Sequence, residues 1–537
     1  MAGPKKPVNV FKLKNLNVPP EVFNWRLWFA VLSFALLGAA RGVDEGLISG
    51  AFNSKNFQDS INYKSYSTVD QANIKANVSA MVQIGRIWAV RQLCAIWILG
   101  IGLFLGANGN LGMIYAGRFI AGLGVGQTPV VGPVYIAEIA PPEVRGLCTC
   151  IFTGFVYLGI VLAYFANYGC QINMGDNTPA RWMVPTSLHI MFATIIFCLS
   201  FMQYESPRFF IKQGKHEAAQ YNMARLRNLP EDHPYVLNEI AAIEMAHQEE
   251  MEATKGTGFW GMLKEMFTVP SNLYRIWLAL MAQIMSQWSG AGSITLYAPD
   301  LFKLLGIAGT NETLLVTAVF GIVKLIAAII CALFLVDVIG RKRSLLIGIS
   351  LQAVSMIYVA SFLTAVPKLG VDDALAMNDA QLGASKGAIA MIYISGFGWA
   401  LGWNSMQYLL TSELFPLRIR ALATSMAMTF HFANQYGNAR ALPNMLLPFG
   451  KGGINPNGSF WTFAIITILG GFWVWFFVPE TAGRSLESMD RLFALPWYRI
   501  GRYGNADAEE QDAVYKTKEE EAGVSSGAHV EKTREVA

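Results

Sequence analysis

The sequence predicts an all-α membrane protein made of two membrane-embedded halves joined by a polar, mostly helical linker. Three observations carry that expectation. Of the 537 residues, 53% are hydrophobic and 15% charged, with a mean hydropathy of +0.36; a soluble protein of this length holds about a quarter charged residues. The apolar residues are gathered into runs of about 20, the length at which a helix crosses ~30 Å of hydrocarbon, and a helix satisfies its own backbone there. Between residues 205 and 272 the composition turns charged and polar, with His216, Glu217, Arg225, Arg227, Glu231, Asp232, Glu249 and Glu250.

Residues 1–24 hold lysines and prolines around no apolar core, so they read as a cytoplasmic segment and not as a cleaved signal peptide. The N-terminal half, 25–204, contains runs at 28–48, 93–107, 115–136, 148–168 and 184–204. The C-terminal half, 273–480, contains runs at 276–297, 314–336, 345–364, 387–410, 422–438 and 461–478. The tail, 481–537, is rich in Glu, Lys, Gly and Ser and is expected to be cytoplasmic, disordered from about residue 500.

Basic residues in short loops set the orientation. They cluster at Lys5 and Lys6, Lys12 and Lys14, Arg86 and Arg91, Arg145, Arg341 with Lys342 and Arg343, Arg418 and Arg420, and Arg484. With these on the cytoplasmic side, the three glycosylation sequons that begin at Asn77, Asn311 and Asn457 fall in outer loops. The assignment raises a parity problem. From a cytoplasmic N-terminus to a cytoplasmic Arg145 the chain crosses an even number of times, yet only three full runs precede that arginine. The segment 76–91 begins like a membrane helix and runs into Arg86; nine or so apolar residues give about 13 Å of helix, less than half a bilayer.

A net charge of +4 with dispersed basic residues argues against a nucleic-acid surface. The six cysteines stand singly or as Cys148 and Cys150, with neither a disulfide framework nor zinc spacing. Cys, Ser and His never meet at catalytic spacing and there is no phosphate loop, so no enzyme, cofactor or metal is expected.

Charged motifs recur at corresponding points of the two halves. Gly117-Arg118, Gly122-Leu-Gly124-Val-Gly126 and Glu138-Ile-Ala-Pro-Pro-Glu-Val-Arg145 close the third full run and its loop. Glu413-Leu-Phe-Pro-Leu-Arg-Ile-Arg420 occupies the equivalent place in the second half, and Asp337-Val-Ile-Gly-Arg341 follows the seventh run. Glu205-Ser-Pro-Arg208 ends the first half and Pro479-Glu480-Thr481 the second. This set, in this order from Trp25 to Glu487, resembles the sugar porter family of the major facilitator superfamily, the fungal sugar and quinate proton symporters among them. The resemblance implies two six-helix halves, nominally twelve helices, the second of them truncated here. Set beside the family's second span and the loop that ends it, the resemblance implies that about 15 residues are absent at Gly85-Arg86, from a lost exon or mispredicted splice or as a natural short-helix variant.

The resemblance implies roles for particular residues. Glu138, Arg145, Asp337, Arg341, Glu413, Arg420, Glu205, Arg208 and Glu480 would form cytoplasmic ion pairs that latch the halves together; the alternative is that the arginines only obey the positive-inside rule. Asp44, late in the first run, would couple transport to protons with Arg118 as its partner, although Val43 replaces the family tyrosine and Arg41 and Glu45 add charges. The competing reading is a structural ion pair or an interfacial carboxylate. For the solute, Gln283 and Gln287 keep two family amides, Ser286 and Gly292 stand in for two others, and Thr153 replaces a third.

Lys324, mid-run, would meet a substrate carboxylate, or else pair within the protein or snorkel. Asn404, Gln407, Tyr408, His431 and His189 are further lining candidates. The expected activity is movement of a sugar, sugar acid or quinate across the plasma membrane as a monomer in the lipid bilayer, with protons. An uncoupled facilitator and a non-transporting nutrient sensor of the same fold are the alternatives.

Overall fold

The computed structural model describes residues 19–61, 65, 67, 71, 90–141, 144–175, 177–254, 259–307, 309–331, 341–366, 378–404, 414–480, 489 and 492–501. Outside them lie Asn77, the Gly85-Arg86 junction, Asp337, Gln407, Tyr408 and Glu413, the side chain of Arg145, and both terminal segments 1–18 and 502–537.

All regular structure among the described residues is helical. The N-terminal half comprises α1 (Trp25–Asn53), α2 (Lys55–Ser60), α3 (Val90–Leu105), α4 (Leu111–Val125), α5 (Thr128–Ile139), α6 (Arg145–Asn173) and α7 (Ala180–Leu199). The linker folds as α8 (Pro207–Lys212), α9 (His216–Arg227), α10 (Pro234–Thr254) and α11 (Phe259–Thr268). The C-terminal half comprises α12 (Pro270–Trp288), α13 (Ala291–Leu296), α14 (Ala298–Leu304), α15 (Thr310–Ile330), α16 (Arg341–Ala365), α17 (Asp379–Leu401), α18 (Leu417–Met445) and α19 (Asn455–Phe477). A last turn, α20 (Trp497–Ile500), packs on α19. Six of these helices are long and apolar enough to cross a membrane.

Two predicted spans are interrupted. The run at 115–136 divides into α4 and α5, with Pro129 in the first turn of α5, where its missing N–H costs nothing. The run at 276–297 divides at Gly290, whose φ is +86°. A side chain there would be strained, and a Cβ would also stand 2.7 Å from the Phe463 ring.

Packing within each half depends on backbone proximity. A Cβ on Gly42 would stand 1.9 Å from the Val156 carbonyl oxygen, and one on Gly159 2.0 Å from that of Ala39, so α1 and α6 meet nearly backbone to backbone. Lipid supplies no hydrophobic drive between helices, and small residues let them associate through close van der Waals contact instead.

The linker has its own small core of Ile211, Ala219, Met223, Val236 and Ile240. Arg227, fully buried, binds both carboxylate oxygens of Glu239 at 2.6 and 2.9 Å and donates to Ile139 O, at the end of α5, at 2.8 Å. On the other side Glu265 of α11 meets Arg418 of α18 at 3.1 Å. The linker thus touches both halves.

These contacts also assign helix ends to the two ends of the bundle. Asn24 and Arg26, at the start of α1, donate to Leu226 O and Arg225 O of the linker at 2.9 and 3.1 Å. Arg91, at the start of α3, donates to Ser200 at the end of α7. At the opposite end, Asn56 of α2 donates to Asn177 O and accepts from Trp182. The chain between Ile61 and Val90 therefore joins one end of the bundle to the other.

Candidate functional site

Asp44 and Glu45 are neighbours on α1, so their side chains leave the helix about 100° apart. They serve different surroundings. Asp44 turns into the N-terminal half, where Arg118 Nη1 donates to its Oδ1 at 2.9 Å; Asp44 is 6% and Arg118 1% exposed. The guanidinium also faces the Phe104 ring, 5.8 Å from its centroid. A third group joins them: His189 Nε2 lies 3.1 Å from the same Oδ1, and its Nδ1 lies 2.8 Å from Thr186 O. Trp97 packs edge-on against the imidazole at 5.9 Å. The predicted pair is present, and His189 joins it.

Glu45 turns toward the C-terminal half. It pairs with Arg41 at 3.2 Å, and the Arg41 guanidinium lies 5.7 Å from the centre of the Phe432 ring on α18. Glu45 also lines a narrow cleft between the halves together with Gln287, Gly292, Ser293, Gln435 and Asn438. The helix break at Gly290 builds the far wall: Asn438 donates its amide to Gln287 O, satisfying a carbonyl at the broken end of α12, and Trp288 Nε1 donates to Asn434 at 3.2 Å.

The predicted amides converge. His431 Nδ1 donates to Gln283 Oε1 at 2.8 Å and stands 3.3 Å from Gln287 Nε2, so one imidazole gathers both. Ser286 is fully buried and donates to Gln283 O at 3.0 Å. Asn404 follows α17, half buried, outside this cluster's hydrogen bonds.

Lys324 lies at the seam of the halves. Its ammonium, 2% exposed, donates to Thr295 Oγ1 at 2.6 Å, and that hydroxyl passes its own proton to Ala291 O at 2.9 Å. It stands 5.2 Å from the Tyr157 ring centroid, on α6 of the other half, and 5.4 Å from that of Phe320. Tyr164, also on α6, donates to Thr295 O at 2.6 Å. Glu45 is the carboxylate within electrostatic reach of this ammonium. A buried ammonium held by one hydroxyl and two aromatic faces keeps donor capacity for an anionic ligand.

Of the residues expected to form the cytoplasmic latch, Asp337, Glu413 and the side chain of Arg145 lie outside the described residues. Glu480 accepts from the backbone N–H groups of Arg341 and Lys342 at 2.8 and 3.1 Å, capping the N-terminus of α16 within one half. Arg420 Nε donates to Phe415 O at 3.0 Å. Among the described residues Glu138, Glu205 and Arg208 enter no ion pair; Glu205 is exposed, its carboxylate accepting from the adjacent Ser206 N–H and its carbonyl from Asn222 Nδ2. Arg227 and Arg418 make the ties at this end. Of the sequons, Asn311 and Asn457 lie in the first turns of α15 and α19, while the hydroxyls of Thr313 and Ser459 are buried and bonded to Gly309 O and Asn455 O.

Several site residues escape sequence reasoning. Thr295, Tyr157 and Tyr164 carry no distinguishing local signal. His431, Asn434, Gln435 and Asn438, however, recur at i, i+3, i+4 and i+7, a polar stripe along one face of α18.

The geometry can be set beside known proteins. The profile of the Sugar (and other) transporter family matches residues 30–493. The chain is 31% identical to a probable quinate permease of Aspergillus niger over 528 residues, 95% of this chain and 96% of that protein. It is 30% identical to the quinate permease of Emericella nidulans, over 88% and 90% of the two chains. In fold it resembles the proton:xylose symporter XylE bound to 6-bromo-6-deoxy-D-glucose (TM-score 0.69, 22% identity, 87% of this chain and 99% of that one) and the inward-open form of XylE from E. coli (TM-score 0.66, 20% identity, 87% and 99%). With two helical halves, an interrupted α12 at their interface and charged groups buried on either side of it, the chain belongs to the sugar transporter family.

Proposed function

We propose that this protein carries a polyhydroxylated monocarboxylate of the quinate kind into the cell with protons, by alternating access, as a monomer in the plasma membrane with both termini cytoplasmic. The observation that carries the reading is Lys324: a desolvated ammonium at the seam of the halves, held by Thr295 Oγ1 and the faces of Tyr157 and Phe320. A ligand carboxylate there replaces neutral partners with a charge-assisted hydrogen bond. The amides of Gln283 and Gln287, which both donate and accept, suit ring hydroxyls once His431 yields them. The quinate permeases of two fungi, at 30–31% identity along most of the chain, support the same solute class. Asp44 beside Arg118 supplies a buried carboxylate for the proton.

The test is uptake of radiolabelled quinate, galacturonate, glucose and xylose by a transport-null host expressing this chain, at several external pH values. The expected result is saturable, acid-stimulated uptake of the two acids with little uptake of the neutral sugars. Uptake of glucose or xylose without the acids would overturn the assignment of Lys324 to a carboxylate.

A further inference from the structure

His189 carries an inference that rests on the symport reading and deepens it. A backbone carbonyl only accepts, so the 2.8 Å contact between His189 Nδ1 and Thr186 O requires a hydrogen on Nδ1. The other nitrogen, Nε2, then faces Asp44 Oδ1 at 3.1 Å. If the imidazole carried only the Nδ1 hydrogen and the carboxylate were ionised, two lone pairs would oppose each other inside a buried site. The contact is attractive only with one more proton between them, as imidazolium and carboxylate or as imidazole and carboxylic acid. Both forms contain the same number of protons.

We infer that the transported proton is shared between Asp44 Oδ1 and His189 Nε2, and that the structure holds the proton-loaded state of this pair. The charged groups acting on Asp44 are Arg118 from α4 and His189 itself from α7. α3 brings only the uncharged Trp97 to the ring, and α6 the uncharged Asn167, bonded to Gly46 O at 3.2 Å. Loading takes one proton from the outer solution into the pair. Release gives it to the cytoplasmic side, leaving carboxylate, neutral imidazole and guanidinium, and the Asp44–His189 contact then separates. His189 thereby makes the proton's departure a change of geometry between α1 and α7.

Two measurements test this. In His189→Gln the amide can still donate to Asp44 but holds no proton, so the pair loses one of its two proton-holding atoms. Half-maximal stimulation of uptake should then need at least about tenfold more protons than in the parent. An unchanged pH profile would overturn the inference. The second readout does not depend on transport: 15N spectra of the histidine-labelled full chain in detergent, with six histidines to resolve and His189 assigned by difference. The parent should show His189 with protons on both ring nitrogens or shared at Nε2, and Asp44→Asn should convert it to the neutral Nδ1–H tautomer. A neutral ring in both proteins would overturn the inference even if no solute is ever found. A shared proton in a chain that moves no solute with protons would instead overturn the symport reading, and with it the proton's being transported, while leaving the shared proton of the pair in place.

Discussion

At the scale of single residues, the useful signals are charges inside apolar runs. Asp44, Arg118 and Lys324 stand out in the sequence because an ionised group in hydrocarbon is costly unless something holds it. The structure supplies the holders: Arg118 and His189 for Asp44, Thr295 with Tyr157 and Phe320 for Lys324. The holders were not legible, because a histidine 145 positions away or a tyrosine on another helix becomes a neighbour only through tertiary packing. Glu45 makes the same point, since its separation from Asp44 is one residue in sequence and one molecular half in space. Two predictions belong here. Asp44→Asn should leave solute exchange working but abolish accumulation: a one-unit pH gradient sustains about tenfold accumulation with one coupled proton, and the variant's inside-to-outside ratio should settle near unity in a labelled-quinate steady state. Lys324→Met should raise KM for quinate roughly ten- to a hundredfold, the worth of a charge-assisted hydrogen bond of about 1.5–3 kcal/mol. Uptake of any neutral sugar should be affected far less, and a parallel loss of both would point to a structural role for the lysine.

Among helices, hydrophobic length locates the long apolar ones of both halves, and what it misses within them is interruption. The runs at 115–136 and 276–297 look continuous because hydropathy averages over Gly126-Gln127 and Ser289-Gly290, where α4 and α12 stop. The second interruption matters for function: it exposes Gln287 O to Asn438 and aims Ser293 and Gly292 into the cleft between the halves. How closely helices approach is also hidden from hydropathy, since it depends on which face each glycine occupies. A Cβ on Gly42 would stand 1.9 Å from Val156 O, while one on Gly154 of α6 would meet nothing within 4 Å. Gly42→Ala should therefore force α1 away from α6, at about 1–3 kcal/mol or more. Gly154→Ala should be neutral or slightly stabilising, because alanine is the better helix former by about 1 kcal/mol. Thermal unfolding of the two purified variants, followed by size-exclusion or intrinsic fluorescence, separates them; equal midpoints would contradict the backbone-to-backbone packing of α1 on α6.

For the whole molecule, the unresolved question from the sequence is whether the N-terminal half has the right number of crossings. The apolar run before Arg86 is too short for a span, which made the chain look one helix short of its own orientation rule. The contacts at the two ends of the bundle give an independent count. The start of α1 and the start of α3 both lie at the end that carries the linker, through Asn24 to Leu226 and Arg91 to Ser200, whereas α2 lies at the far end beside Asn177 and Trp182. Ile61 and Val90 therefore lie toward opposite ends of the bundle. Charge bias alone does not reveal this, because Arg86 and Arg91 signal which side a segment ends on without saying how it arrived. The exposed residues Asp59 and Gln92 bracket the connection. In a background without reactive cysteines, Asp59→Cys should be labelled by a membrane-impermeant maleimide added to intact cells, and Gln92→Cys only after permeabilisation. Labelling of Gln92→Cys from outside would mean that the connection does not cross, leaving α3 to run opposite to the direction that its contact with Ser200 demands.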